Sequence, residues 1–221
     1  KTRRVTTYNA EQVKWAADII NAAERPLVYF GGGVRSAASC QPLRDLIHKA
    51  EIPATYTLMA AGVVPYGDPM NIGMIGMHGC YTANRAVADC DVLIALGTRF
   101  SDRVALNPKT FAKNATIIQI DIDPSELGKN VDVDLAISGD AAYVLGGMLP
   151  LIEEKKHPDW NMVPEIMIPL VGEVKELKFV KDVVVKVADE LIAAAGVDMK
   201  YQVGTMIEIP RAALTAGEIA K

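Results

Sequence analysis

The sequence predicts an α/β fold: an open, doubly wound parallel sheet followed by one appended βαβ unit. Short runs of almost entirely apolar residues are typical of strands that are covered on both faces. Helical patterns alternate with these runs, as they do in parallel sheets. Because ligands bind beyond the carboxyl ends of the strands in such sheets, polar clusters at those ends indicate a nucleotide-like ligand. Glycines and polar residues cluster directly after the runs, at 31–33, 57–59, 97–103, 121–123 and 139–140.

The first elements are predicted from helical spacing and from prolines. Apolar residues recur every three or four positions over 11–24, which predicts a helix, and Pro26 ends it. Pro26–Phe30 then predicts a buried strand. Pro42 suits the first turn of a helix, so a second helix is predicted from Pro42 to Ala50. The two elements that follow are short: a strand over Ala54–Tyr56 and a helix over 82–89.

The middle of the chain predicts three further strands and a helix. Asp91–Leu96 and Thr116–Ile120 are rich in apolar and β-branched residues, as buried strands are. Leu135–Ser138 predicts a weaker strand. Asp140 is the expected N-cap of the next helix. The apolar stripe of that helix contains Val144, Leu145, Met148, Leu151 and Ile152.

The pattern changes near residue 160, which divides the chain into a predicted domain over 1–160 and a second region over 161–221. In the second region, Glu165–Val171 predicts a strand and Val174–Ala195 predicts a long helix. Tyr201–Ile209 predicts the last strand. Because two strands and one helix bury little surface, this βαβ unit is not expected to fold alone.

Composition excludes several classes of protein. Charged residues make up 23% of the chain and the net charge is -4, so nucleic acid is not an expected partner. The basic cluster Lys1–Arg4 is expected to be a solvated end. Every apolar run is shorter than the roughly 18 residues that span a membrane, so no membrane partner is expected either. Three cysteines, Cys40, Cys80 and Cys90, are odd in number and not spaced as metal ligands, which favours free thiols in a reducing cytoplasm.

Two glycine-led motifs at the strand ends each leave two interpretations open. Gly31–Gly33 allow close approach of a phosphate, or form only a tight turn, since Ser36 stands where a dinucleotide fingerprint has its third glycine. Arg99 and Arg103 are suited to holding a diphosphate or a carboxylate bidentately. The alternative is that Asp102 pairs with one of these arginines on the surface.

Three further residues are candidates for binding or catalysis. Asp121 is placed either to accept from a ribose hydroxyl or to cap the turn that follows it. His78, within Gly76–Gly79, is either a base or donor, or a chance histidine of a loop. Glu208 lies in an apolar stretch, where a carboxylate binds a metal or an arginine if it is buried, or faces water at an edge.

Six of these motifs, taken in chain order, resemble those of the acetolactate synthase (acetohydroxyacid synthase) large subunit family. The resemblance covers about residues 1–160 and implies the Rossmann-like central domain of a thiamine-diphosphate enzyme, which binds FAD in that family. The sequence departs from the family at Ala60–Ala61 and at Ala105–Leu106. The six motifs are Gly31–Gly33, Thr57–Met59, Gly76–Gly79, Gly97–Val104, Asp121–Asp123 and Gly139–Asp140.

The resemblance also implies roles for individual residues. Met77, Asp102 and Arg103 would face the reaction site, with Arg103 suited to the second 2-ketoacid. The contacts to FAD would fall on Gly32, Gly33, Thr57, Leu58, Gly76, Met77, His78, Gly97, Thr98, Arg99, Phe100, Asp121, Ile122, Asp140 and Ala141.

In that family, FAD takes no part in net redox chemistry, and thiamine diphosphate does the work as a carbanion-stabilising cofactor. It decarboxylates pyruvate and adds the two-carbon unit to a second 2-ketoacid, a step of branched-chain amino-acid biosynthesis. The glutamate that activates thiamine diphosphate and the metal and diphosphate motif are not found in this sequence. The chain is therefore expected to bind FAD and to be inactive by itself. The parent synthases are oligomers, so a homo-oligomer is one of the states open to the chain.

The region over about 162–221 resembles a second family, the phosphoenolpyruvate-binding TIM-type barrel of pyruvate phosphate dikinase. Residues 164–172 and 204–214 carry this resemblance, and Gly217 departs from the aspartate expected there. Glu208 would be a Mg²⁺ ligand in that family, but the other ligands of the site are absent, so Mg²⁺ is not expected to bind. The joining of two families predicts a chimera. The alternatives to a FAD-binding module are a scaffold without a ligand and a Mg²⁺-dependent phosphoenolpyruvate-binding remnant.

Overall fold

A computed structural model describes residues 6–155, 157, 165–196 and 201–220. The chain divides into two compact units, Lys1–Asn161 and Met162–Lys221. The strands of the first unit are β1 (Pro26–Phe30), β2 (Ala54–Tyr56), β3 (Asn71–Met74), β4 (Val92–Leu96), β5 (Thr116–Asp121) and β6 (Leu135–Ser138). Its helices are α1 (Ala10–Ala22), α2 (Ala37–Lys49), α3 (Tyr81–Asp89) and α4 (Ala141–Met148).

The six strands of the first unit form one parallel sheet in the order β3-β2-β1-β4-β5-β6. The chain builds outward from β1 in one direction and then from β4 in the other. The order therefore reverses between β1 and β4, which pair in register from Pro26↔Val92 to Phe30↔Leu96. This is the doubly wound, Rossmann-like arrangement, and it confirms the predicted fold class.

The centre of the sheet is apolar on both faces. All five residues of β1 and all five of β4 are buried, as strands covered on two sides must be. Val28, Phe30 and Ile94 pack in one cluster with residues of α1, α2 and α4, among them Ile20 and Leu145. Because this core fixes β1 and β4 rigidly, the loops that leave their carboxyl ends start from defined positions.

Two boundaries in the first unit differ from the prediction. The second helix begins at Ala37, not Pro42, because the Ser36 side chain accepts a hydrogen bond from the backbone N–H of Ser39 and caps it. Pro42 thus lies inside α2. Strand β3 was not predicted: its sequence Asn-Ile-Gly-Met alternates weakly, and its pairing with β2 contains an irregularity. The sheet, not local propensity, makes this segment a strand.

The second unit contains β7 (Glu165–Ile168), α5 (Val174–Ala195), β8 (Gln202–Thr205), α6 (Pro210–Leu214) and α7 (Ala216–Ile219). Strands β7 and β8 pair in parallel, so β7-α5-β8 is a βαβ unit. Its small core consists of Ile168, Val171, Ala212 and Ile219. The predicted last strand over Tyr201–Ile209 is too long, because Pro210 starts a helix and the strand pairing ends at Thr205.

Other predictions from the sequence concern the cysteines, membrane-spanning segments, and two regions outside the described residues. Cys40, Cys80 and Cys90 are all free, and burial raises the pKa of the Cys90 thiol to about 12. Within the described ranges, every helix is too short or too polar to cross a bilayer. The basic cluster Lys1–Arg4 and the expected join near residue 161 lie outside the described residues.

Candidate functional site

A cleft of about 500 Å³ opens at the carboxyl edge of the sheet, where the strand order reverses between β1 and β4. We call it the switch cleft. Loops diverge from the two strands at this point, which is where open α/β sheets bind ligands. The switch cleft is lined by Tyr29, Gly31, Gly32, Gly33, Arg35, Thr57, Met59, Gly97, Thr98, Arg99, Ser101, Asp121 and Glu126.

Glycines let the two central loops touch at the bottom of the switch cleft. The backbone N–H of Gly33 donates to the carbonyl oxygen of Gly97 at 3.1 Å. A Cβ atom on Gly33 would lie 2.7 Å from the Gly97 Cα, and Gly97 itself has a φ of +55°. Any side chain at these two positions would therefore push the loops apart. Close packing is thus one reason for the Gly31–Gly33 motif that was predicted from sequence.

Several backbone N–H groups of these loops have no partner. Within the residues that the structure describes, the N–H groups of Gly32, Thr98 and Arg99 make no hydrogen bond. The Arg99 backbone is itself fixed, because the Asn130 side-chain amide donates to its carbonyl oxygen at 2.7 Å. Unpaired N–H groups held in place along a cleft suit an anion with several oxygens.

Two arginines add positive charge to the switch cleft. The side chains of Arg35 and Arg99 are exposed and line the switch cleft. No carboxylate of the described chain pairs with the guanidinium of Arg35, Arg99 or Arg103. The predicted alternative, in which Asp102 pairs with Arg99 or Arg103 on the surface, is therefore not seen. Arg99 remains available for a bidentate contact with a phosphate or a carboxylate.

The switch cleft also contains acidic side chains, Asp121 and Glu126. Asp121, at the end of β5, accepts a hydrogen bond from the backbone N–H of Asp123 at 2.9 Å. Burial raises the pKa of Asp121 above its usual value, and the charges of Asp123 and Glu126 act in the same direction. Asp123 performs the turn-capping role, since its carboxylate accepts from the Ser125 backbone and hydroxyl. Asp121 makes a turn contact of its own and also lines the cleft, where its carboxylate can accept from a hydroxyl group.

A buried glutamine joins the loop after β4 to the loop after β5. Gln119 of β5 is fully buried, and its side-chain amide donates to the carbonyl oxygens of Thr98 and Glu126 at 3.0 and 3.1 Å. Its side-chain oxygen accepts from the backbone N–H of Gly128 at 2.8 Å. The loop after β4 and the loop after β5 are therefore held at a fixed separation by one side chain.

The residues expected to face the reaction site lie in two places. The backbone N–H of Met77 donates to the carbonyl oxygen of Arg103 at 2.9 Å, so these two residues are neighbours. Asp102 lines a second cleft of about 460 Å³, which adjoins the first through Arg99, Ser101 and Glu126. All three side chains are exposed. Met77 and Arg103 are thus in contact, but Met77, Asp102 and Arg103 all lie outside the lining of the switch cleft.

Other predicted contacts lie beside or away from the switch cleft. The ring of Phe100 is buried and packs between Tyr29 and Phe111, both at 5.7 Å between ring centroids. Asp140 caps α4 by accepting from the Ala142 N–H, and it follows β6, two strands away from β4. The remaining predicted residues that do not line the switch cleft are the exposed Leu58, His78 and Ile122 and the buried Gly76 and Ala141.

Three lining residues lie outside every motif predicted from sequence: Tyr29, Arg35 and Glu126. Arg35 follows the Gly31–Gly33 motif by two residues, so proximity in the chain could have identified it. Tyr29 was assigned only to a strand, and nothing in the sequence marks its side chain as facing a cleft. Glu126 lies five residues beyond Asp121, on the far side of a turn that the sequence alone does not orient.

Glu208 of the second unit has a structural partner. One of its carboxylate oxygens accepts a hydrogen bond from the backbone N–H of Leu170 at 2.9 Å, and Leu170 has a φ of +57°. In the described parts of the chain, no three histidine, cysteine, aspartate or glutamate side chains are grouped so as to hold a metal ion. Glu208 thus stabilises the turn after β7 in this fold.

Comparison with known proteins assigns the two parts of the chain separately. Residues 13–148 match the family described as "Thiamine pyrophosphate enzyme, central domain", and residues 155–221 match "PEP-utilising enzyme, PEP-binding domain". Among curated proteins, the chain is 42% identical to "Acetolactate synthase isozyme 1 large subunit" of Escherichia coli over 156 residues, which is 71% of this chain and 27% of that protein.

Two further relatives agree with this assignment. "Probable acetolactate synthase large subunit" of Methanocaldococcus jannaschii is 43% identical over 182 residues, 77% of this chain and 31% of that protein. "Acetolactate synthase large subunit" of Parasynechococcus marenigrum is 45% identical over 136 residues, 62% of this chain and 22% of that protein. The chain spans between about a fifth and a third of the length of these curated relatives.

Proposed function

Because this chain belongs to the thiamine pyrophosphate enzyme family through its central domain, we propose that its first unit is a dinucleotide-binding module that takes FAD in the switch cleft. The observation that carries this proposal is the position of the cleft. It opens at the reversal of strand order, and its lining combines glycine turns, unpaired N–H groups, two arginines and an acid.

The residues present fit the chemistry of a dinucleotide. The unpaired N–H groups of Gly32, Thr98 and Arg99, together with the guanidinium of Arg99, suit the diphosphate. Asp121 suits a ribose hydroxyl, since a carboxylate is an acceptor. A Cβ on Gly32 would touch Met59 at 3.4 Å and narrow the cleft, so glycine keeps the backbone accessible there. The residues of the switch cleft would hold the adenosine diphosphate portion of FAD.

The role of this module is that of one part of an acetolactate synthase-type enzyme. Its relatives carry that name, and the chain covers only a fraction of each of them. The described residues provide no grouped acids of the kind that holds the metal of thiamine diphosphate. We therefore expect the chain, taken alone, to bind FAD without condensing 2-ketoacids.

The match of the two parts of the chain to different families supports the proposal that the chain is a chimera. A phosphoenolpyruvate-binding function of the second unit is less well supported. The carboxylate of Glu208, which that function would need as a metal ligand, already accepts a hydrogen bond from Leu170.

A FAD titration tests the proposal. We expect saturable quenching of flavin fluorescence and, at 100-fold excess over Kd, a stabilisation of about 2.7 kcal/mol. Arg99→Ala should weaken binding by about tenfold or more, because a hydrogen bond to a charged group is lost. The matched control is Arg85→Ala, since Arg85 pairs with Asp89 on the surface of α3. A melting temperature that FAD never moves would refute the proposal and favour a scaffold without a ligand.

A further inference from the structure

Helix α5 has a line of exposed apolar side chains along one side, which we call the α5 stripe. It consists of Val180, Val183, Val187 and Leu191, all of which are exposed. Their spacing of three or four residues places them on one side of the helix. Single exposed apolar residues are ordinary on protein surfaces, whereas a continuous set of them marks an interaction site.

The α5 stripe is distinct from the face by which α5 packs within the second unit. Leu177 packs against the small core of that unit, and Val184 and Ala188, on the same face, are partly buried. Because successive residues of a helix are about 100° apart, Val187 lies on a different side from Ala188. A helix with a second apolar face is expected to have a second partner.

The described residues of the second unit supply no helix long enough to cover the α5 stripe. Helix α5 has 22 residues, whereas α6 and α7 have five and four. In a closed barrel with a ring of helices outside it, each long helix lies between two neighbours. Such neighbours are absent among the described helices of this unit, so a partner for the stripe has to come from outside the unit.

The charges of α5 are ordered against the dipole of the helix. The part of α5 up to residue 186 has four lysines and two acids, and the part beyond it has two acids and no base. A helix by itself is stabilised by acids near its N-terminus and by bases near its C-terminus. The order seen here is therefore not explained by the stability of α5 alone, and it suits a neighbouring helix that runs in the opposite direction.

We infer that the α5 stripe is the interface of a homodimer, in which α5 packs antiparallel to α5 of a second copy of this chain. An antiparallel pair brings the lysine-rich part of each helix beside the acidic part of the other. A parallel pair would bring like charges together. The three-and-four spacing of the stripe is that of a helix–helix seam. The inference is independent of the proposed function, which concerns the first unit.

The stripe also predicts the register of the pair. Val183 and Leu191 lie four residues on either side of Val187, so a two-fold axis at Val187 places Val183 opposite the partner's Leu191. In this register, Lys186 lies about two residues, or roughly 3 Å along the helix, from the partner's Glu190. In the described chain, neither Lys186 nor Glu190 has an ion-pair partner, so both are available for the second copy.

Sedimentation equilibrium of the full chain tests the inference. We expect a mass twice that of one chain at micromolar concentrations. Val187→Glu should weaken association by about 100-fold or more, because it brings two carboxylates together at the axis. Leu214→Glu is the matched control, since Leu214 is 89% exposed on α6, outside the stripe, and should leave association unchanged. Circular dichroism checks that each variant keeps its helices.

A charge exchange tests the antiparallel register. Lys186→Glu and Glu190→Lys should each weaken association by about tenfold, because each replaces two attractive contacts across the axis by two repulsive ones. The double variant restores opposite charges in both contacts, so its association should return to within about twofold of wild type. This compensation is expected only when the partner of α5 is another α5.

Three results would overturn the inference. The first is a wild-type chain that stays monomeric throughout the micromolar range, as it would if the stripe were covered within one chain. The second is a dimer that Val187→Glu leaves intact while the variant keeps its helices. The third is a double charge variant that associates no better than the two single variants.

Discussion

The backbone N–H of Gly33 donates to the carbonyl oxygen of Gly97 at 3.1 Å, and this hydrogen bond joins the two halves of the doubly wound sheet. Gly33 follows β1 and Gly97 follows β4, the strands between which the order reverses. The two loops of the switch cleft therefore meet through backbone atoms at this point. The shape of the cleft depends on the absence of side chains at both positions.

Gly97→Ala should destabilise the protein. The residue has a φ of +55°, and a Cβ would lie 2.6 Å from the Gly33 Cα, so the cost should be about 2 kcal/mol or more. Urea unfolding measures this. The control is Gly146→Ala within α4, where a Cβ meets nothing within 4 Å and should stabilise by about 0.5–1 kcal/mol. Equal effects of the two substitutions would contradict the account.

Gln119→Leu should weaken both the fold and the cleft. The substitution leaves the carbonyl oxygens of Thr98 and Glu126 and the N–H of Gly128 without their partner, at a cost of about 3 kcal/mol. Gln41→Leu is the control, because Gln41 is exposed and pairs only with Asp45, so its change should stay within about 0.5 kcal/mol. Denaturant unfolding of both variants checks the difference. Equal stability of Gln119→Leu and wild type would show that the glutamine does not join the loops.

Asp121 and Asp123 should give opposite pH dependence. Burial raises the pKa of Asp121, so the folded chain holds its proton more tightly than the unfolded chain does. The stability that this provides is present below the usual pKa of 3.8 and is lost as the pH rises through the folded value. Relative to wild type, Asp121→Asn should therefore become more stable as the pH rises above about 4.

Asp123 supplies the matched comparison. Hydrogen bonds from Ser125 lower the pKa of Asp123, so its contribution to stability is present above 3.8 and is lost as the pH falls through the folded value. Asp123→Asn should thus become less stable than wild type as the pH rises. Melting temperatures between pH 3 and 7 would measure both variants. If the difference in melting temperature from wild type changed with pH in the same direction for both substitutions, the assignment of Asp121 to the cleft and Asp123 to the turn would be refuted.

Glu208 should behave as a structural residue. Glu208→Ala removes the acceptor for the Leu170 N–H, so we expect a loss of stability in the second unit of about 1 kcal/mol. Mg²⁺ at millimolar concentration should leave the melting curve of both forms unchanged. The exposed Glu218 supplies the control variant Glu218→Ala. A stabilisation by Mg²⁺ that disappears in Glu208→Ala would revive the phosphoenolpyruvate-binding alternative.

The sheet was largely predictable because its strands are buried on both faces. Runs such as Val92–Leu96 contain no polar residue, so their composition identifies them as buried strands. Strand β3 escaped prediction because its residues are only partly buried and its pairing, not its composition, makes it a strand. The start of α2 was misplaced because Pro42 was taken as a first-turn residue, when Ser36 caps the helix.

The candidate site was predictable where it is made of backbone. Glycines at strand ends mark the turns after β1 and β4 without any knowledge of side-chain direction. Tyr29 and Glu126 were missed because their positions beside the cleft depend on how the strands and loops around them are arranged in three dimensions. Phe100 remains a predicted contact: its ring packs against Tyr29 and Phe111, and the residue lines the second cleft, an arrangement that the sequence does not reveal.

The most direct test of the account is amide mapping of the ¹⁵N-labelled chain during titration with FAD. The account predicts that the largest shifts of the first unit occur at Gly31–Gly33, Gly97–Arg99 and Asp121–Glu126, the three segments that meet at the switch cleft. Helices α1 and α4, which pack on one face of the sheet, should show small shifts. Shifts centred on those helices, or no shift at saturating FAD, would contradict the claim that this cleft is a dinucleotide site.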